Sequence, residues 1–232
     1  MMKYASLFSL FLLSITAWAQ SPQVDLPDNL NQRNEDGEKV GTWVKYHAGG
    51  TLNFLTQFVD GERQGLRLVI SEHGQVRAQE MYDADTLHGF QRYYDGQGRL
   101  ERELNYNHGV KDGVETEYYV DRGRVRARTS WSNGEKDGIV EWYYPEGVVS
   151  AKYNYRQGSI EGLVEYFYLN GPRRSATYYE NNQRHGEHKE FHENGQMKTL
   201  GMYYEGDQVG LWTYYNEDGT VLRTQQFREI EE

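Results

Sequence analysis

Short segments of this chain alternate hydrophobic and polar positions with a period of two, which is typical of half-buried β-strands. In one such segment Leu100, Leu104 and Tyr106 fall on one side. Glu101 and Glu103 fall on the other side of the same segment. No helical periodicity occurs after the first twenty residues, so the pattern predicts an all-β protein.

The strand-like segments recur with a period of about 24 residues, and each unit of the repeat begins with a glycine. The opening glycines are Gly41, Gly65, Gly89, Gly113, Gly138, Gly162, Gly186 and Gly210. A second column follows nine or ten residues later, at Gly50, Gly74, Gly98, Gly123, Gly147, Gly171, Gly195 and Gly219. A third column holds Gly61, Gly109, Gly134, Gly158 and Gly206, with Asp85 and Asn182 replacing glycine. Since Asp and Asn also tolerate left-handed backbone angles, this third column is predicted to lie in turns.

Two aromatic columns lie between the turns, one in each strand of the unit. The first comprises Tyr46, Ile70, Tyr94, Tyr118, Tyr143, Phe167, Phe191 and Tyr215. The second comprises Phe58, Tyr82, Tyr106, Trp131, Tyr155, Tyr179, Tyr203 and Phe227. A position that repeats in every unit is typical of packing, and tight Asn-Gly or Asp-Gly turns such as Asn170-Gly171 are predicted between the two strands of a unit.

The repeat predicts an elongated antiparallel β-meander of about eight stacked 24-residue hairpins, forming one open sheet with one apolar face. A single hairpin cannot bury enough apolar surface to be stable, so neighbouring hairpins must stack. The predicted boundaries are a signal peptide at 1–19, a polar leader at 20–36, the repeat domain at 37–228 and an acidic tail at 229–232.

Three strings carry a resemblance to a known family: GTWVKY at 41–46, GLWTYY at 210–215 and FHENG at 191–195. They resemble the variant form of the MORN repeat, Gly-x-Trp-x-x-Tyr-Tyr-x-x-x-Gly, and the resemblance covers residues 36–227. It implies an open MORN-like sheet. It also implies a protein-binding or antitoxin-like role, because bacterial proteins of this kind are often labelled YwqK-family antitoxins. Six units depart from the pattern at the tryptophan, with Arg67, Gln91, Glu115, Val140, Val164 and His188 in its place.

The first nineteen residues have the features of a cleavable export signal. Lys3 gives a positive start, residues 7–15 are almost continuously apolar, and Ala17-Trp18-Ala19 offers a small-x-small cleavage site before Gln20. The apolar stretch is shorter than the ~20 residues that a membrane-spanning helix needs. The chain has no cysteine, which excludes a disulfide framework and a lipoprotein anchor. The expected location is periplasmic or extracellular, where a cytoplasmic toxin would be out of reach.

Charge narrows the choice of partner. The formal net charge is −10, and no run of four basic residues occurs. Binding to nucleic acid or to an anionic membrane surface would require basic residues, so both are disfavoured. The remaining expectation is that the chain binds another protein, as an antitoxin-like inhibitor or as part of an envelope complex. The alternative is a glycan- or cell-wall-binding repeat protein.

No motif for catalysis, a cofactor or a metal is found. The chain has no thiol nucleophile, no Gly-x-Ser-x-Gly setting and no glycine-rich phosphate loop before a helix. The cluster of His188, Glu190 and His192 has ligand chemistry, but its two histidines would lie roughly 13 Å apart along a strand, too far for one ion. A non-enzymatic protein with neither cofactor nor metal is expected.

The candidate binding residues are aromatic and apolar side chains at positions that are polar in most units. Even offsets from the opening glycine point away from the first aromatic column, and units five, six and eight place apolar residues there. These residues are Val140, Trp142, Tyr144, Val164, Tyr166, Tyr168, Trp212 and Tyr214. They form either an exposed patch for a partner or part of the packed core.

Overall fold

The structure is a computed structural model that describes residues 26–229, and within them it consists of β-strands and turns. The strands are β1 (Gln32–Arg33), β2 (Lys39–Tyr46), β3 (Leu52–Val59), β4 (Glu62–Ile70), β5 (Val76–Asp83), β6 (Thr86–Tyr94), β7 (Leu100–Asn107), β8 (Val110–Lys111), β9 (Gly113–Tyr119), β10 (Arg124–Ser132), β11 (Glu135–Tyr143), β12 (Val149–Arg156), β13 (Ser159–Ile160), β14 (Gly162–Phe167), β15 (Arg173–Glu180), β16 (Gln183–Phe191), β17 (Met197–Tyr204), β18 (Asp207–Tyr215) and β19 (Val221–Gln226). The predicted all-β class is confirmed. The signal peptide at 1–19 and the tail residues 230–232 lie outside the described residues, so these two features stay predictions. Among the described residues no helix is long and apolar enough to cross a bilayer.

The strands form an antiparallel meander in which each one pairs with its neighbours along the chain. β2 pairs with β3, β3 with β4, and the pattern continues to β18 and β19. The two-residue strand β8 pairs with the end of β7 just before β9 begins. In the same way, β13 pairs with the end of β12 just before β14 begins. Within residues 26–229, β2 and β19 do not pair with each other, so the sheet is open, as predicted.

The turns between units have two consecutive residues with positive φ, which is the backbone of a type I′ hairpin turn. Asp60 and Gly61 have φ of 45° and 85°, and Asn181 and Asn182 have φ of 50° and 67°. The turn column inferred from the sequence is therefore confirmed, including its Asp and Asn members. Each turn also contacts the previous one: the N–H of Gly61 donates to the carbonyl of Lys39 over 2.9 Å, and equivalent bonds recur in the later turns.

The turns inside units differ from the sequence prediction. Gly171 has a φ of 102°, but Asn170 is not among the residues with positive φ. The N–H of Gly171 donates to the carbonyl of Tyr168 over 3.0 Å. This is a type I turn closed by a left-handed glycine, and it needs one positive φ where a two-residue I′ turn needs two.

Each opening glycine lies at a β-bulge and faces an aromatic side chain across the ladder. Gly65 has a φ of 80° and pairs with Tyr82, next to a register shift between Thr56 and Phe58. The same pairing of glycine and aromatic recurs at Gly138 and Tyr155. A bulge inserts one residue and bends the strand. The second aromatic column therefore packs over backbone that carries no side chain.

The two aromatic columns lie on opposite faces of the sheet, which corrects the expectation of a single apolar face. One face carries the second aromatic column together with the second residue after each opening glycine. We call it the core face. Trp131 lies there and donates its indole N–H to Glu115 over 2.9 Å. The first aromatic column lies on the opposite face, where the hydroxyl of Tyr118 donates to Glu103 over 2.6 Å.

Candidate functional site

The apolar residues singled out in the sequence fall mainly on two neighbouring rows that cross the strands of the core face. One row, here called the buried row, contains Val140, Val164 and Trp212. These three side chains are only 2%, 1% and 2% exposed. Of the two alternatives drawn from the sequence, these three residues belong to the packed core. They offer no surface to a partner.

Trp212 ends the buried row in a cluster of aromatic rings. Its indole stacks on the imidazole of His188 at 5.4 Å between centroids, and Tyr203 meets it edge-on at 5.1 Å. The indole N–H donates to the carbonyl of Met202 over 3.2 Å. The ring occupies the space above Gly201, where a side-chain methyl group would overlap it.

Tyr144 and Tyr168, two further candidates, lie in the turns and connect neighbouring units. The hydroxyl of Tyr144 donates to the carbonyl of Phe167 over 2.9 Å, and the hydroxyl of Tyr168 donates to the carbonyl of Phe191 over 2.8 Å. Both bonds reach 23 residues along the chain, which is one repeat unit. These contacts give the two tyrosines a structural role whether or not they also touch a partner.

The remaining candidates, Trp142, Tyr166 and Tyr214, lie on the second row, here called the open row. Trp142 is 43% exposed, whereas Tyr166 and Tyr214 are half-buried. Tyr166 exchanges a hydrogen bond with the hydroxyl of Tyr153 at 2.7 Å. The guanidinium of Arg223 lies 3.7 Å from the ring centroid of Tyr214 and covers that ring.

A cavity of about 430 Å³ interrupts the core face in units six and seven. It lies where the open row passes from Tyr166 through Ser175 to Glu190. Ser175 and Thr177 are too small to fill the space between the neighbouring tyrosines and the side chains of β16. The cavity is therefore a direct consequence of two small residues on β15.

Two guanidinium groups line this cavity without a carboxylate partner among residues 26–229. Arg184 donates from Nη1 to the hydroxyl of Tyr203 over 3.0 Å and from Nε to the hydroxyl of Tyr179 over 3.3 Å. Arg174 lies over the ring of Tyr166 at 5.3 Å from its centroid. Both side chains line the same cavity.

Glu190 forms the acidic part of the cavity floor and stays ionised. The imidazole of His188, 3.8 Å away, and the ammonium of Lys198, 3.6 Å away, hold the pKa of the Glu190 carboxyl down at about 2. The hydroxyl of Thr199 donates to the same carboxylate over 3.3 Å. Against this one negative charge stand Lys198, Arg174 and Arg184, so the cavity is locally cationic in an acidic chain.

The histidine cluster does not converge on a point. His188 is buried and bonds through Nδ1 to the hydroxyl of Thr177 at 2.7 Å, while Nε2 of His192 bonds to the carbonyl of Tyr215 at 3.0 Å. Within residues 26–229 no group of three His, Cys, Asp or Glu side chains is arranged to hold a metal ion.

A row of exposed apolar side chains on the opposite face was missed by the sequence analysis. We call it the apolar stripe, and its members are Phe90, Val114, Ile139, Tyr178, Met202 and Leu211, each between 39% and 57% exposed. Tyr178 pairs directly with Leu163 in this row, whereas Val114 pairs with Ser130 and Ile139 with Asn154. A signal was present in the sequence, because the residue directly after the opening glycine is apolar in six of eight units.

The repeat units match a known family. The family model described as MORN repeat variant matches residues 136–157, 184–205 and 208–229. These segments run from the end of one unit into the next, and each spans a bulge, a strand, a turn and the following strand. The chain contains MORN-type repeats of the variant form in these three segments. The resemblance is confirmed for the strings at 191–195 and 210–215, whereas the string at 41–46 lies outside the matched segments.

Other comparisons add little to the description of this MORN-type repeat protein. No curated protein matches it significantly. The crystal structure of the GtfA/B complex bound to UDP and GlcNAc aligns at 18% identity over 50% of this chain and 22% of that chain, with a TM-score of 0.21. The crystal structure of TcdB2-TccC3-Cdc42 aligns at 14% identity over 82% of this chain and 13% of that chain, with a TM-score of 0.19. The repeat protein thus spans under a quarter of the length of either chain, and TM-scores this low carry no inference about function.

Proposed function

We propose that this MORN-type repeat protein is an exported, non-catalytic scaffold that binds another protein through the apolar stripe. The observation that carries the proposal is the exposure of six apolar side chains in one line on the opposite face. Apolar side chains that are exposed along one face of a protein are a feature of interaction sites. From β6 to β18 the stripe crosses ten strand spacings, or roughly 48 Å of sheet at ~4.8 Å each.

The surroundings of the stripe support a protein partner. Two ion pairs next to it on the opposite face are satisfied within the chain: Lys152 contacts Glu141 at 3.1 Å, and Arg173 contacts Glu165 at 2.6 Å. An unpaired buried charge is costly in interface formation, and a partner that covers these two pairs creates none. An apolar centre bordered by polar groups is also the usual anatomy of a protein interface.

The export part of the proposal rests on residues 1–19 and leads us to expect an envelope or extracellular partner. An antitoxin-like inhibitor and a component of an envelope complex both remain compatible with such a surface. The two differ in the partner that they predict, so the partner's identity decides between them.

Site-specific photo-crosslinking in the source cells tests the proposal. A photoreactive phenylalanine analogue at Ile139 should form an adduct with one defined protein, and the adduct should disappear when Val114→Asp is added. The matched control places the analogue at Leu222, which is 61% exposed but lies on the terminal strand outside the stripe. The same adduct from both positions, or no adduct dependent on Val114, would refute binding through the stripe.

A further inference from the structure

We propose that the cavity on the core face of units six and seven binds a saccharide unit that carries a single carboxylate. The site lies on the face of the sheet opposite the apolar stripe, so this inference is independent of the proposed protein-binding function. Its volume of about 430 Å³ falls within the range of ~300–1,000 Å³ that small-molecule sites occupy.

The walls suit the ring of a sugar. Tyr166, Tyr179 and Tyr203 line the cavity, and each brings an aromatic ring and a hydroxyl group. Aromatic rings pack against apolar faces, while a tyrosine hydroxyl offers both a donor and an acceptor. Such a surface matches a ligand that has C–H faces and hydroxyl edges.

The two guanidinium groups of the cavity are the reason to expect a carboxylate on the ligand. Tyr179 and Tyr203 hold Arg184 in place, and its remaining donors have no acceptor among the described residues. A planar guanidinium pairs with a carboxylate through two parallel hydrogen bonds, and a fixed fork loses less entropy when it does so. Arg174, over Tyr166, supplies a second cation in the same cavity.

Glu190 adds a hydrogen-bond acceptor to the cavity and favours hydroxyl groups on the ligand. Its carboxylate has only Thr199 as a hydrogen-bond donor within 3.5 Å in the described chain. An ionised carboxylate can accept several hydrogen bonds, so it can bind sugar hydroxyls.

A peptide fits this place less well than a sugar. The cavity lies in the middle of the face over β14–β17, whose strands pair on both sides. A bound peptide strand gains its affinity from backbone pairing at a free sheet edge, and no edge is available here. The side chains alone must supply recognition, and they present hydroxyl, guanidinium and carboxylate groups.

Calorimetric titration of the full chain with glucuronate, and with glucose as the neutral control, tests the assignment. We expect saturable binding of glucuronate with a Kd of about 1 mM or tighter, which is typical of a small, single-ring ligand. Glucose should bind at least about tenfold more weakly, because it cannot pair with the guanidinium groups. Arg184→Gln should weaken glucuronate at least about tenfold, whereas Arg122→Gln, in an exposed turn of unit four, should leave the Kd unchanged.

A second variant keeps the test valid if Arg184→Gln fails to fold. Ser175→Leu fills the cavity floor without changing charge, and it should abolish glucuronate binding while thermal unfolding stays cooperative. Equal affinity for glucuronate and glucose, or no binding of either sugar, would overturn the proposal. Tighter binding of a short acidic peptide than of glucuronate would also overturn it and would assign the cavity to peptides.

Discussion

Gly201 shows how one residue in a repeat is fixed by its neighbour. Most residues at its place in the unit carry a side chain, such as Thr56, Thr129 and Thr177 in other units. Gly201 lies instead under the indole of Trp212, which is 2% exposed. Its backbone does not have a positive φ. The glycine is therefore required by space rather than by conformation.

We expect Gly201→Ala to lower the free energy of unfolding by about 2–3 kcal/mol, because overpacking a well-filled core forces rings and backbone to shift. Chemical denaturation followed by tryptophan fluorescence measures the effect. Gly49→Ala is the matched control, since a methyl group there meets no atom within 4 Å and the backbone has no positive φ. A loss at Gly201 no larger than that at Gly49 would contradict the steric explanation.

Gln91 is a buried polar residue with one unsatisfied hydrogen-bond acceptor. It occupies the buried row and is fully buried, and its Oε1 has no hydrogen-bond donor within the described chain. Its Nε2 donates to the carbonyl of Met81 over 3.0 Å. A buried acceptor without a donor costs free energy that an apolar side chain of similar shape would not.

Gln91→Met should therefore raise the free energy of unfolding, by about 1 kcal/mol. Gln79→Met is the control, because Oε1 of Gln79 accepts a hydrogen bond from the hydroxyl of Tyr94 over 3.0 Å. The same substitution there removes a satisfied partner and should destabilise the protein. Urea midpoints that move in the same direction for both variants would disprove this reading.

At the scale of the element, the hairpins are linked by hydrogen bonds that span one unit. The turns on one side of the sheet stack through backbone bonds such as that from Gly158 to Lys136 at 2.9 Å. On the other side, side chains of the turns donate to carbonyls of the next unit, as Tyr119 does to Tyr143 over 2.8 Å. These bonds tie together neighbours that could not fold alone.

Removing one such link should have a measurable effect. Tyr144→Phe is expected to lower the free energy of unfolding by about 1 kcal/mol, because the carbonyl of Phe167 loses its donor. Tyr46→Phe serves as the control, since Tyr46 is half exposed and its hydroxyl makes no hydrogen bond in the described chain. Thermal unfolding of the two variants compares their melting temperatures. Equal melting temperatures would argue against a stabilising hydrogen bond from Tyr144 to Phe167.

At the scale of the whole molecule, the two ends of the sheet differ. The first repeat strand β2 is covered by the leader: the side chain of Asn31 accepts the N–H of Val44 over 2.8 Å, and Trp43 donates to the carbonyl of Gln32 over 3.1 Å. The last strand β19 has a neighbour on one side, and all six of its residues are exposed. In a linear array a terminal unit lacks one of its two stabilising interfaces.

Hydrogen exchange should therefore show fraying from the C-terminal end. We expect the hydrogen-bonded amides of β19 to exchange at least about 100-fold faster than those of β10–β12 in the centre of the sheet. Amides of β2 should be protected more strongly than those of β19. Mass spectrometry of peptides from the exchanged protein gives this comparison, and equally fast exchange at both ends would contradict it.

Much of the fold could be predicted from the sequence because turns and bulges depend on local chemistry. The positions of Gly61, Asp85 and Asn182 were sufficient to place the I′ turns, since few residues adopt a positive φ without strain. The strands follow from their alternation. The bulge at each opening glycine was not predicted, and neither was the placement of the two aromatic columns on opposite faces.

The surfaces could not be predicted in the same way, because burial depends on neighbours that are 20 or more residues away. Trp142 and Trp212 have the same side chain and lie on neighbouring rows of the core face. Trp142, on the open row, is 43% exposed, whereas Trp212, on the buried row, is 2% exposed. The difference arises from Gly201 and His188, which make room for Trp212 across the strands. The cavity likewise depends on Ser175 and Thr177 being small beside large neighbours from other strands.

The sequence by itself determined the repeat, the family resemblance, the turns between units and the antiparallel order of the strands. These features are encoded by residues that act within a single unit, so a period of 24 residues displays them. Only the tertiary structure decided which apolar columns are core and which are surface. The physical reason is that a side chain on a sheet is covered by residues from adjacent strands, and those residues vary between units independently of the turns.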